Sequence, residues 1–214
     1  MDRTPGISRS FMHFALTSFV VLGSIGCSAK YTQLPPKLDL QPYGRVAIIP
    51  FAAMRADTGF AALATRRFAE DVLAAQPGVE LLELGERDPL VRAFRRTGDA
   101  SALTQALGTD REVMAVFLGQ LTLSEIKPTV RLSASSVRAR ATVNADLAVR
   151  MLATRSGGTV WRSSFAGTSS VGNVSLRQGL PSILVRDPEE AYEEIVRVLV
   201  GGVTRDFRPS VVRM

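Results

Sequence analysis

At 214 residues the chain is long enough for one sizeable core and one domain. Its formal charge of +6 and pI near 10.2 invite a nucleic-acid reading, but only Lys30, Lys37 and Lys127 are lysines, the other basic residues are scattered arginines, and no basic block carries interleaved aromatics. The charge fits weak attraction to anionic lipid or wall polymer better, and a single cysteine excludes an internal disulfide.

The chain opens with Arg3 and Arg9 against Asp2, then runs mostly apolar from Phe11 to Gly26, broken by His13, Thr17, Ser18 and Ser24. A membrane span needs roughly 20 apolar residues, so a basic start, a short apolar middle and a small residue before a boundary describe a secretory signal over residues 1–26. The lone cysteine stands at that boundary. Ser24-Ile25-Gly26-Cys27 resembles the bacterial lipobox: Gly26 supplies the small residue before the cysteine, and Ser24 stands where leucine is usual. The resemblance implies an acylated Cys27 as first residue of the mature chain, each buried methylene contributing about 0.8 kcal/mol to anchoring. Ser28, not aspartate, follows, so the outer membrane, facing the periplasm, is the expected location. A mature chain of this kind keeps no free thiol and no histidine, which excludes cysteine nucleophiles, thiolate metal sites and imidazole acid–base catalysis. No metal and no cofactor are expected.

Residues 27–43 carry Pro35, Pro36 and Pro42 without helical or strand period and read as a tether reaching at most roughly 50 Å. A domain is expected over 44–208, with a tail at 209–214. RVAIIPF (Arg45–Phe51) is a buried strand by its β-branched apolar run. Asp57 or Thr58 caps a helix with the stripe Phe60, Ala64, Phe68, Val72 and Ala75, ended by Pro77-Gly78. Val79–Leu84 is a second strand. Asp88-Pro89 and Asp99 open two short helices closed by Gly98 and Gly108. Val113–Leu123 is a third strand. From Val137 to Arg150 apolar and mostly polar residues alternate, the clearest β signal in the chain; Gly157-Gly158 turns it into Thr159–Thr168. Val171–Arg186 reads as a polar loop of low order. Asp187-Pro188-Glu189-Glu190 starts a last helix with the stripe Ala191, Ile195, Val198, Leu199 and Val203. This order predicts an α/β fold: a single αβ sandwich, its mixed sheet carrying a long hairpin with helices packed on it.

RVAIIPF at the first strand, ALGTDREVMAVFLGQLT entering the third and ADLAVRMLATRSGGTVWRSSFAG across the hairpin look like periplasmic lipoproteins sharing the curli secretion channel domain. The TolB amino-terminal domain and the lipoprotein activators of penicillin-binding proteins have a similar build. The resemblance covers about Gly44 to Asp206, is most specific over Leu147–Trp161, and implies fold more firmly than function.

Catalytic motifs fare poorly. Asp57-Thr58-Gly59 matches the short aspartic-protease motif, but that chemistry needs two carboxylates sharing one proton and no second copy exists, so helix capping is its expected role. Glu189, Glu190, Glu193 and Glu194 suggest a cation site, yet acids in a first helical turn are favoured by the helix dipole alone. No phosphate loop and no nucleophile elbow occur. The expected protein is therefore not an enzyme but a lipid-anchored periplasmic envelope protein that binds another envelope protein as a scaffold or assembly factor. Partner contact is assigned to Ser169, Asn173, Arg177 and Arg186 in the long polar segment. One alternative is a subunit, oligomeric, of a curli-type export channel, although the alternating strand lacks the aromatic girdle of membrane strands. The other is an activator of a peptidoglycan synthase, which the short tether disfavours.

Overall fold

The computed structural model describes residues 31–56, 58–124, 127–133, 136–177, 180–185 and 188–213. In chain order these form β1 (Tyr31–Leu34), β2 (Arg45–Ile48), β3 (Ala52–Met54), α1 (Thr58–Ala75), β4 (Glu80–Glu83), α2 (Pro89–Thr97), α3 (Ala100–Arg111), β5 (Ala115–Leu123), β6 (Lys127–Ser133), β7 (Ser136–Ala153), β8 (Thr159–Arg177), β9 (Leu180–Val185), α4 (Pro188–Val203) and β10 (Ser210–Arg213), with 3-10 turns at Gln41–Tyr43 and Thr204–Phe207.

The expected first strand breaks at Pro50, which has no N–H to give a ladder. β2 pairs parallel with β4 and with the start of β5, and β3 resumes the parallel pairing further along β5. At the break Phe51 crosses over Gly119: a Cβ on that glycine would lie 2.2 Å from the Phe51 ring, so only glycine admits the crossing. The main sheet runs β4-β2-β5-β7-β8-β9, with β3 also on β5 and β6 also on β7. Every pairing beyond β5 is antiparallel.

α1 and α4 cover one face of this sheet, α2 and α3 part of the other. The α1 stripe is as its spacing predicts: Phe60, Ala64, Phe68 and Val72 are buried. On α4 the buried set is Ile195, Val196, Leu199, Val200 and Val203, while Val198 is 46% exposed, one step off the stripe expected for it. Along β7 the alternation holds, with Val143, Ala145, Leu147, Val149 and Met151 buried and Asn144, Asp146 and Arg150 exposed. Phe51, Phe68, Phe117, Phe207 and Trp161 meet edge-on or tilted at 4.9–6.1 Å between centroids and form the middle of the core. The molecule is thus an αβ sandwich with a mixed sheet and a long hairpin.

Local chemistry sets the two short helices. Asp88 caps α2 by accepting from the Leu90 N–H at 2.8 Å, and Gly98 ends it in the left-handed conformation. Asp99 caps α3 through the Ser101 and Ala102 N–H groups at 2.9 and 3.0 Å. α3 runs past Gly108 to Arg111, stopped by Glu112 at φ 56°.

Two expectations are corrected and one further strand appears. The described part of Val171–Arg186 is strand and not loop: β8 continues to Arg177 and β9 occupies Leu180–Val185, because β7 offers ladder partners to β8, and β8 to β9, and pairing overrides the weak strand propensity of serine, glycine and asparagine. Lys127–Ser133, left unassigned by the sequence, is strand β6 on the other edge of β7. The tether and tail are partly structured as well. Tyr31–Leu34 pairs antiparallel with Ser210–Arg213, and Leu40 is fully buried, because each segment lacks regular period alone but supplies the other's hydrogen bonds.

Candidate functional site

Beyond the α4-covered part of the sheet, β7 and β8 continue together and are flanked by β6 and β9. The result is a four-stranded antiparallel arm in the order β6-β7-β8-β9. At its far end Ser133 pairs with Ser136 and Arg177 with Leu180. The outer edges of β6 and β9 have no strand partner among the described residues. Register places Val130, Ala139, Val174 and Ile183 in one row across the arm and Arg131, Arg138, Ser175 and Ser182 in the next, so apolar and polar rows alternate.

The sequence-assigned contact residues distribute over this arm without converging. Ser169 is buried opposite Val143, Asn173 is paired with Arg140, and Arg177 closes the tip. Ser169 and Arg177 stand eight residues apart on one strand, about 26 Å. Arg186 lies outside the described residues, as do Cys27, Ser24, Ile25, Gly26 and Asp57. Glu190 and Glu193 are exposed on α4, and Glu194 is half-buried. Among the described residues no three acidic, histidine or cysteine side chains are grouped to hold a metal, and no helix is long and apolar enough to cross a membrane.

A second feature lies at the carboxyl ends of β2 and β4. The chain leaves β2 toward α1 on one face and leaves β4 toward α2 on the other, the topological switch where open α/β sheets form a crevice. A cavity of about 720 Å³ occupies it, lined by Phe51, Ala53, Arg66, Glu83, Glu86 and Arg95 among others. Arg95 is held in place: its guanidinium donates to the Phe51 carbonyl at 3.2 Å, to the Pro50 carbonyl and to Glu86 at 3.3 Å. Its charge is spent on the crevice rim.

Sequence reasoning missed a third element, a strap that fastens the amino-terminal segment to the domain. Gln76, at the end of α1 and buried, accepts from the Leu40 N–H at 3.1 Å and donates to the carbonyls of Phe207 at 2.7 Å and Leu38 at 3.2 Å. The Leu38 N–H donates to the Asp206 carbonyl at 3.1 Å, and Lys37 pairs with the Asp206 carboxylate at 3.1 Å. The available signal was a lone amide just before Pro77-Gly78, which does not name its partners.

No family model and no curated protein matches the chain. Among solved structures it is similar to the PelC dodecamer from Paraburkholderia phytofirmans, at 13% identity over 84% of this chain and 97% of that one, TM-score 0.44. It is also similar to lipoprotein GNA1162 from Neisseria meningitidis (16% identity, 59% and 83% covered, TM-score 0.37) and to a minor lipoprotein from Acinetobacter baumannii (12%, 78% and 96%, TM-score 0.30). The neighbours thus include bacterial lipoproteins; at these scores the likenesses assign no function.

Proposed function

We propose that the chain is a noncatalytic lipoprotein of the bacterial envelope, held in the outer membrane by an acylated Cys27. Its αβ domain, of the curli secretion channel or TolB amino-terminal type, then binds another envelope protein as a scaffold or assembly factor. The observation that supports this reading is the arm, with β6 and β9 offering edges that have no strand partner among the described residues and on which a partner strand can add. Only residues 28–30 separate Cys27 from β1, a reach of about 14 Å, so the anchored body works close to its own membrane and an activator of a synthase across the wall is disfavoured. Photo-crosslinkers at Thr129 and Ser182 in intact cells test the reading. One recurrent envelope protein captured from the arm edges, and lost with the acyl label in Cys27→Ala, supports it. An unlabelled Cys27 in the parent protein refutes the anchor.

A second reading, a subunit of a curli-type export channel, is favoured by the alternating apolar and polar rows of the same arm, the pattern of strands that surround a water-filled lumen. Electron microscopy of detergent-extracted protein decides between them: rings with a lumen support the channel, isolated particles the scaffold.

A further inference from the structure

The face of β7 and β8 opposite α4 is only partly covered, because α2 and α3 reach no further across than Leu152 and Leu118. On this open face Arg150 of β7 is register partner to Arg162 of β8. Directly opposed residues stand about 5 Å apart at Cα, and like charges so placed destabilise a sheet. Neither guanidinium has an ion-pair partner among the described residues. The first carboxylate before Arg150 on this face of β7 is Asp146, four residues and about 13 Å away, and Glu86 is taken by Arg95. The two arginines share a cavity of about 440 Å³ whose other lining residues include Phe94, Arg95, Ala148 and Ser164, and no acid.

From this we infer that Arg150 and Arg162 form a binding site for the phosphate group of a small ligand or lipid headgroup, seated on the open face over the two strands. A carboxylate carries one negative charge on two oxygens; a phosphate monoester carries nearly two on three, so it balances both guanidinium charges and accepts from two forks at once. Ser164, next to Arg162 on the same face and opposite Ala148, adds a hydroxyl donor beside the smallest side chain of the floor. Bound phosphate turns a repulsive pair into two charge-assisted contacts. The site is independent of the anchor at Cys27 and of the arm edges.

The test uses the full chain in detergent, titrated with inorganic phosphate by calorimetry. Arg150→Gln and Arg162→Gln should each weaken binding about tenfold or more. Both exposed variants should unfold, without phosphate, at a midpoint no lower than the parent's, since each removes the repulsion. Absence of phosphate binding, or binding unchanged in both variants, overturns the proposal. Flotation of the Cys27→Ala chain with phosphatidylglycerol vesicles identifies the source: flotation lost in Arg162→Gln and competed by phosphate assigns a headgroup, whereas phosphate binding without flotation assigns a soluble ligand.

Discussion

Replacing Gln76 by alanine tests the strap. The substitution leaves the Leu40 N–H and the Phe207 carbonyl, both in buried hydrogen bonds, without their partner. Each orphaned buried group costs about 1–3 kcal/mol. A water admitted to the vacated space returns part of this, so the expected loss is about 2–4 kcal/mol. At about 2–4 °C per kcal/mol for a domain of this size, the melting midpoint falls by roughly 4–16 °C. Urea unfolding followed by the fluorescence of the only tryptophan, Trp161, is the assay; its ring lies 4.9 Å from Phe207, beside the perturbed carbonyl. Hydrogen exchange adds a local readout, with protection lost at Leu40 and in β1 and β10 before β5. Gln105→Ala, on the exposed side of α3, should stay within about 0.5 kcal/mol. If Gln76→Ala matches that control and the Leu40 amide stays protected, the strap does not depend on this amide.

Gly119→Ala pushes a methyl into the Phe51 ring and should destabilise by about 1–3 kcal/mol in denaturant unfolding, with part of the loss recovered in Phe51→Leu; strict additivity would contradict the contact. Asp99→Ala removes the α3 cap and should cost about 1 kcal/mol, Asp99→Asn only a few tenths, compared by thermal melts. Inserting a flexible Gly-Ser segment among residues 28–30 should leave the cellular phenotype unchanged, whereas a steep length dependence would point to a partner across the wall.

The parts of the fold with their own period were readable. The α1 stripe, the β7 alternation and the Asp-capped starts of α2 and α3 follow from side-chain spacing and cap chemistry, which act within a few residues. What was missed depends on a distant partner. Ser169 to Arg177 is rich in serine, glycine and asparagine and becomes a strand only because β7 runs beside it. Tyr31–Leu34 needs Ser210–Arg213 at the other end of the chain. The alternation in PTVRL and the apolar run in LPSILV were faint signals for β6 and β9. Of the proposed phosphate site, Arg150 and Arg162 were visible as residues, but their opposition is a fact of register, set by the turn after Ala153 and invisible until the hairpin is closed.

The strap and the arm tip lie at opposite ends of β8, which constrains how the two proposed readings of function can operate. Near its start, the Trp161 indole N–H donates to Asp206 at 3.2 Å, the same residue that holds Leu38 and Lys37. Arg177 closes the far end sixteen residues later, roughly 50 Å away. Cys27 lies ten residues before Lys37, so even fully extended chain confines an acyl anchor to about 35 Å from Asp206. If the arm serves as a scaffold edge, the strap can hold the Trp161 end at the bilayer and present β6 and β9 outward. If the arm crosses the bilayer, its tip must pass the surface by about 25 Å, and β1 with β10 must run back along the sheet to bring Cys27 level with the arm's base. The channel therefore requires one particular course of the strap, while the scaffold tolerates many. Loosening it with Gln76→Ala should lower the yield of rings from a channel and leave crosslinks at Thr129 and Ser182 intact in a scaffold.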